Sequence, residues 1–416
     1  MNELLIRVVR GYDTPCFVYQ MDVINQRIED LRTAFGNRFE ISYAVKSNPN
    51  QVILQRLQDR VDMLDISSSG ELIRARQAGW SAHQMSFTGP GKRDSELQLA
   101  VNQQIGQIVI ESVAEAQRLN TIAQQAGIIQ SVLVRISPLK IPPGFGINMA
   151  GRPNQFGIDE EDLDPAIEII KKLPFVRIDG FHIYSGTQCL KSEAIIANFN
   201  NFITLFRRVS QIHQFYPEKL IFGAGFGIPY HEEDQPLDFI AIANQINPAL
   251  DELQNATYFA KTHFILELGR YLVGEAGIYL TRVINQKKSR GTDICICDGG
   301  MNHHLAACGH FGTIIPRNYR MFKVITDPKQ SVTSSQFYDL FGPLCSAIDR
   351  LGHRVKLPSL EIGDIIAIQS SGAYGLTASP LYFISHPLPQ EILIETQAGQ
   401  VKIEAISQIT HQLTSN

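Results

Sequence analysis

The sequence predicts an α/β barrel joined to an all-β domain, and three observations carry that prediction. Eight β-branched runs, each ending in polar or small residues, are spaced through residues 39–270. A longer amphipathic stretch rich in Ala, Leu, Gln and Arg follows each of them. Beyond Arg270 only short strand-like runs separated by turns remain. Strands alternating with helical patterns point to βαβ units and a parallel sheet. Eight such units over this length fit a closed (β/α)8 barrel better than an open sheet.

The runs are Phe39–Lys46, Val61–Ser69, Met85–Pro90, Gly106–Ser112, Val132–Pro138, Arg177–Ser185, Lys219–Ile228 and His263–Arg270. Helical periodicity is clearest in Ser69–Gln77, Ser112–Gln125 and Ile195–Ile212. Ser137–Asn154, rich in Pro, Gly and Lys, reads as a long barrel loop able to cover a site. The later strand-like runs are Ile278–Asn285, Asp293–Cys297, Arg320–Ile325, Asp364–Gln369, Glu391–Glu395 and Val401–Ala405, an antiparallel β domain. Thr14–Tyr19, ahead of the barrel, is strand-like and is expected to join it. The expected division is a barrel over residues 25–275 and a β-sandwich or β-barrel domain built from residues 1–24 and 276–416.

Composition excludes several classes of protein. With 44% apolar and 19% charged residues, the 416-residue chain has the makeup of a folded enzyme rather than a disordered one. A formal charge of −4 gives no reason to expect nucleic acid or an anionic membrane as partner. No apolar stretch is long enough to span a bilayer, and the Met1-Asn2-Glu3 opening has no leader-like pattern. Cys16, Cys189, Cys295, Cys297, Cys308 and Cys345 are scattered without framework spacing, so a cytoplasmic protein with free thiols is expected. Cys295 and Cys297 alternate with isoleucines and read as sheet core. No metal is expected, because a zinc site needs more ligands at set spacings.

In a barrel of this kind the active site lies at the carboxyl ends of the strands. Lys46 closes the first run after Ile41-Ser42-Tyr43-Ala44-Val45. Apolar flanks there would lower its pKa and free the amine as a nucleophile, although a solvated strand-end lysine has the same pattern. The seventh run enters Gly223-Ala224-Gly225-Phe226-Gly227, whose alternate glycines let backbone amides approach an anion, although glycine-rich turns are common at strand ends. The eighth ends Glu267-Leu268-Gly269-Arg270. Arg270 suits a phosphate and Glu267 a protonated ring nitrogen, with a plain surface ion pair as the alternative. A lysine, a phosphate loop and a carboxylate at three strand ends together suggest a phosphorylated aldehyde cofactor.

Tyr43-Ala44-Val45-Lys46-Ser47-Asn48 resembles the lysine motif of the fold-type III pyridoxal-phosphate decarboxylases, the diaminopimelate and ornithine decarboxylase family with an alanine-racemase-like barrel. Gly223–Gly227 is similar to its phosphate loop, and Glu267–Arg270 to its Glu-Pro-Gly-Arg motif with Leu268 in place of proline. Ser69-Gly70-Glu71, Gly342-Pro343-Leu344-Cys345 and Gly372-Ala373-Tyr374 match further blocks, in order, over essentially the whole chain. The resemblance implies pyridoxal 5'-phosphate held on Lys46 as a Schiff base, with Glu267 keeping the cofactor ring protonated. It implies phosphate contacts from Gly223, Gly225, Gly227, Arg270 and Tyr374, and a cofactor contact from Gly269. It also implies a homodimer in which Cys345 comes from the partner subunit as proton donor, with Asp349 nearby. In Gly180–Gln188, an ungapped match puts Tyr184 where a histidine usually stacks on the ring and Thr187 on the phosphate-contacting serine. A one-residue shift brings His182 or Ser185 into play instead.

Two departures bear on the substrate. Relatives that act on diamino acids carry an acidic residue just after the cysteine, and here that position is Ser346. Diaminopimelate decarboxylases also have an Arg-Pro-x-x-Tyr segment that reads the distal carboxylate. Here Asp298-Gly299-Gly300-Met301-Asn302 runs into His303-His304-Leu305 with no such arginine, unless Arg317 or Arg320 substitutes. Burying an unpaired distal charge costs several kcal/mol, which argues against free diaminopimelate. His303, His304 and His310 read as solvated or substrate-lining rather than metal-binding. The pattern resembles a subgroup that decarboxylates a glutamyl thioester on an acyl-carrier protein in secondary metabolism. The alternatives are a decarboxylase of free diaminopimelate, lysine or ornithine, an amino-acid racemase, and a non-catalytic regulatory homologue.

Overall fold

The computed structural model describes residues 2–310, 317–326 and 334–407. It forms two compact units, one of residues 27–227 with 236–271, the other of residues 1–26, 228–235 and 272–416.

The first unit is the predicted barrel. Its strands are Glu40–Ala44, Met63–Ile66, Met85–Phe87, Gln107–Ile110, Gln130–Ser137, Val176–Tyr184, Lys219–Gly223 and His263–Leu268. Each pairs in parallel with the next, and His263–Leu268 returns to Glu40–Ala44 to close the ring. All eight fall on the eight β-branched runs. The helices follow their patterns: Ser69–Gln77 starts at a Ser68 side-chain cap, and Val113–Ala126 starts at a Ser112 cap and stops at left-handed Gly127. Ser192–Ile212 buries Phe199, Phe202 and Phe206 as one stripe. The long loop after the fifth strand carries the short strand Ile147–Asn148, paired with Gly186–Thr187.

The second unit is a β structure that is mostly, not wholly, antiparallel. Gly277–Ser289 pairs antiparallel with Cys16–Gln20, Thr292–Cys297 and Ile365–Ile368. Two pairs correct the expected arrangement: Cys16–Gln20 runs parallel to Gln390–Gln397, and Thr292–Cys297 runs parallel to Ser335–Phe341. Their strands are joined by long connections, the only kind that allows parallel pairing. Cys295 and Cys297 are buried on their strand, as read. A helix not expected from the sequence, Asn2–Gly11, buries Leu5 and Val8 against Val18, Leu280 and Ile392.

Candidate active site

Side chains alternate along a strand, so an inward layer recurs every second residue. Met63, Val109, Leu133, Ile221 and Ile265 pack as one apolar cluster inside the barrel. Two positions further along the same strands stand Asp65, Glu111, Arg135, Gly223 and Glu267. The apolar floor is thus capped by an ionisable layer at the carboxyl ends.

Lys46 follows the first strand in a single 3-10 turn, Val45–Ser47. The Ser47 hydroxyl donates to Ala44 O at 2.7 Å and Tyr43 OH to Asn48 O at 2.9 Å, pinning the turn. The lysine side chain stays 39% exposed, with Nζ 3.2 Å from Asp65 Oδ2 and 3.9 Å from Glu267 Oε1. The centroid of the Tyr184 ring lies 5.9 Å from the same nitrogen. The apolar surround expected for this amine is therefore corrected to two carboxylates and a ring. The register explains it, since Ala44 pairs with Asp65 and Ser42 with Glu267.

The two carboxylates differ. Burial pushes Glu267 up, but the hydrogen bond and charge of His182, with Lys46 and Arg135, outweigh burial and hold it at about 2. His182 Nε2 donates to Glu267 Oε2 at 2.9 Å. Asp65 moves the opposite way: burial and then the Glu267 charge raise it, against Lys46 and the Thr88 hydroxyl bonded to it. Glu71, in the Ser69-Gly70-Glu71 block, accepts from Ser67 N at 2.7 Å, and burial lifts its carboxyl to about 7.

His182 is buried against Glu267, while Tyr184, two residues on, is half-buried and its ring lies beside Lys46 Nζ. Thr187 lies in the strand paired with Ile147, and its carbonyl accepts from Gly146 N at 2.9 Å. A Cβ on Gly223 would strike Tyr184 and Ile183 O, on Gly225 the Gly186 carbonyl, and on Gly227 the Cys189 carbonyl. These glycines are therefore required first by the protein backbone, and Gly225 also takes φ +63. Gly227 N is spent on Cys189 O, whereas the amides of Gly225 and Phe226 take no backbone acceptor among the described residues. A Cβ on Gly269 would meet Ser47, so this glycine lets the eighth strand pass the lysine turn before Arg270.

Sequence reading missed Asp65, Glu111 and Arg135. Arg135 donates to Glu111 at 3.0 Å, and Glu111 also accepts from Gly89 N and Gly157 N, both at 2.9 Å. The available signal was a lone ionisable residue two positions past an inward apolar one in a strand.

In the other unit, Cys345 and Ser346 lie in the turn between Ser335–Phe341 and Arg350–Pro358. Cys345 is exposed, whereas the other five cysteines are buried. Asp349, expected near the substrate, spends its carboxylate on the backbone: Oδ1 accepts from Met301 N at 2.6 Å and Oδ2 from Leu344 N at 2.8 Å. In this chain it holds the Cys345 turn. Tyr374 is half-buried at φ +54, in the left-handed region. Arg320 donates to His231 O and Asp234 O, and Arg317 pairs with Glu233 and Asp234, so both proposed substitute readers are engaged. His303 and His304 are corrected from solvated or substrate-lining to core residues. Burial lowers them to about 4 and about 3, and His304 Nε2 lies 2.9 Å from Ser371 Oγ.

A lysine amine between two buried carboxylates, with a glycine-walled turn offering free amides, has the donor set for a phosphorylated aldehyde. His182 Nδ1 and Ser185 Oγ, buried and without a hydrogen-bond partner among the described residues, leave further polar capacity at the same strand ends. Residues 21–274 match the family model described as pyridoxal-dependent decarboxylase, pyridoxal binding domain. The chain belongs to that family. It is 35% identical over 386 residues, covering 93% of this chain and 90% of the relative, to an L-glutamyl-(BtrI acyl-carrier protein) decarboxylase of Niallia circulans. It is 29% identical over 400 residues, covering 96% and 90%, to diaminopimelate decarboxylase of Aquifex aeolicus. The solved diaminopimelate decarboxylase of Helicobacter pylori complexed with L-lysine superposes with TM-score 0.83 at 28% identity, covering 99% of this chain and 97% of that one. The protein is thus a pyridoxal-phosphate-dependent decarboxylase acting on an amino acid or aminoacyl group. Among the described residues no helix is long and apolar enough to cross a membrane.

Proposed function

We propose that this chain decarboxylates a glutamyl thioester carried on an acyl-carrier protein, as a cytoplasmic homodimer with shared sites. The observation that carries the reading is that no distal charge reader stands ready among the described residues. Ser346 follows Cys345, and Arg317 and Arg320 are both committed to the 231–234 segment. A thioester-bound glutamyl group has no free distal charge to satisfy, whereas diaminopimelate presents two. The identity to the carrier-linked relative supports the same choice.

Pyridoxal phosphate supplies an electron sink for the pair left on the α-carbon as CO2 departs. Lys46 supplies the amine that holds its aldehyde. Glu267, kept ionised by His182, would hold a proton on the cofactor's ring nitrogen. The amides of Gly225 and Phe226, with Thr187 and Arg270, would take the phosphate, and Tyr184 offers a ring face beside Lys46. Cys345 of the partner subunit returns a proton to the α-carbon. Its exposure, alone among the six cysteines, fits a thiol that works outside its own unit.

The test is CO2 release by the cofactor-loaded protein from free diaminopimelate, lysine, ornithine and glutamate and from glutamyl on a carrier protein. Turnover of the carrier-bound group alone supports the proposal. Efficient turnover of one free amino acid with none of the carrier-bound group would overturn it.

A further inference from the structure

An exposed cationic edge follows directly on the Cys345 turn. Arg350–Pro358 ends its sheet, pairing antiparallel with Ser335–Phe341. Arg350, His353, Arg354 and Lys356 are exposed along it. His353 is 3.0 Å from Asp339, but among the described residues no carboxylate pairs with Arg350, Arg354 or Lys356.

This edge is built rather than merely polar. The register steps from Tyr338↔Val355 to Leu340↔Gly352, so His353 and Arg354 together oppose Asp339 in a bulge. Asp339 Oδ1 accepts from Arg354 N at 2.8 Å, and Arg354 takes φ +49, which is uncommon for a residue other than glycine. The bulge turns the Arg354 guanidinium out to 5.1 Å from the centroid of the exposed Phe337 ring. Three cations without acidic partners among the described residues thus lie along one edge of a chain whose net charge is −4. Lysine and arginine on an edge also discourage strand pairing between molecules. That role does not require their position: Arg350 pairs with Phe341 and Lys356 with Phe337, so the edge extends about 13 Å from the Cys345 turn, within the reach of a carrier's prosthetic arm.

We propose that Arg350, Arg354 and Lys356, with Phe337, form the docking surface for an acidic carrier domain delivering substrate to the site that Cys345 serves. The inference rests on the carrier-bound reading above. A tethered substrate obliges its domain to settle within an arm's length of the reacting carbon. Complementary charge there speeds encounter and lowers KM without touching the chemical step.

The experiment uses full-length holoenzyme as wild type, the double variant Arg354→Glu/Lys356→Glu, and Arg354→Lys. Each is assayed with glutamyl loaded on an acidic carrier protein and with glutamyl N-acetylcysteamine thioester, which has no carrier domain. The double reversal is expected to raise KM for the carrier substrate about tenfold or more and to leave its kcat and the small thioester unchanged. It should also abolish the rise of KM with added salt, while Arg354→Lys stays near wild type. If the double variant precipitates, Arg354→Ala and Lys356→Ala singly should each give a smaller rise of the same kind. An unchanged carrier KM would overturn the docking surface and leave edge protection as the role of these cations. A wild type that processes the small thioester or a free amino acid but not the carrier substrate would instead refute the substrate reading, and the docking surface with it.

Discussion

Replacing His182 with alanine removes the partner that keeps the buried Glu267 ionised. Glu267 sits at about 2 although burial is the largest single influence on it and acts upward. A hydrogen bond to a charged group is worth about 1.5–3 kcal/mol, or about 1–2 pKa units at 1.36 kcal/mol each. A charge about 4 Å away at an effective dielectric constant of about 20 contributes up to about 4 kcal/mol, partly overlapping that bond. Together these lift Glu267 by about 2–4 units, to about pH 4–6. Glu267 works as the carboxylate, so activity is lost as pH falls through its pKa, and the acid limb must move upward in the variant. The assay is CO2 release by cofactor-loaded protein across pH 4–8, with the cofactor absorbance band recorded in parallel. His182→Gln, which restores an N–H donor without the charge, should fall between the two. A variant that is fully loaded yet keeps the wild-type acid limb would refute the idea that His182 governs Glu267.

Three further outcomes follow from the same geometry. Glu71 rises from 4.5 to about 7 in the folded state, so the folded chain holds a proton the unfolded chain has lost. Stability should fall between those pH values by at most about 3 kcal/mol, and Glu71→Gln should flatten that dependence in denaturant titrations at pH 5 and 8. His303 and His304 are depressed from 6.5 to about 4 and about 3, so the unfolded state binds more protons as pH drops below 6.5. Acid unfolding should therefore steepen below that point and soften in His304→Gln, which thermal melts from pH 7 to pH 4 would show. Asp349→Ala leaves two buried amides without acceptors, at about 1–3 kcal/mol each. It should lower Tm and speed Cys345 reaction with a thiol reagent, and an unchanged reaction rate would show that Asp349 does not hold the turn.

The barrel was legible because each β-branched run and each amphipathic stretch carries its own period, and closure needs only their number. Ser335–Phe341 and Arg350–Pro358 were not, because their exposed edge is written in Ser, Gln, Arg, His and Lys, which read as loop. Parallel pairing of Cys16–Gln20 with Gln390–Gln397 joins residues far apart in the chain and leaves no local mark. In the site, Lys46, Glu267 and the glycine turn announced themselves as motifs. Asp65 and Arg135 did not, since one charge in an apolar run has no meaning until the register places it in the inward layer. His303 and His304 misled because polar side chains are usually solvated, and here hydrogen bonds satisfy them in the core, His304 with Ser371 and His303 with Tyr279 and Pro387.

The most direct test of the account is where the cofactor is attached. Borohydride reduction of the cofactor-loaded protein, followed by digestion and peptide mass mapping, should place a single pyridoxyl group on Lys46 and none in Lys46→Ala. A label on another lysine, such as the buried Lys92 paired with Glu115 at 2.6 Å, would contradict the site described between Asp65 and Glu267.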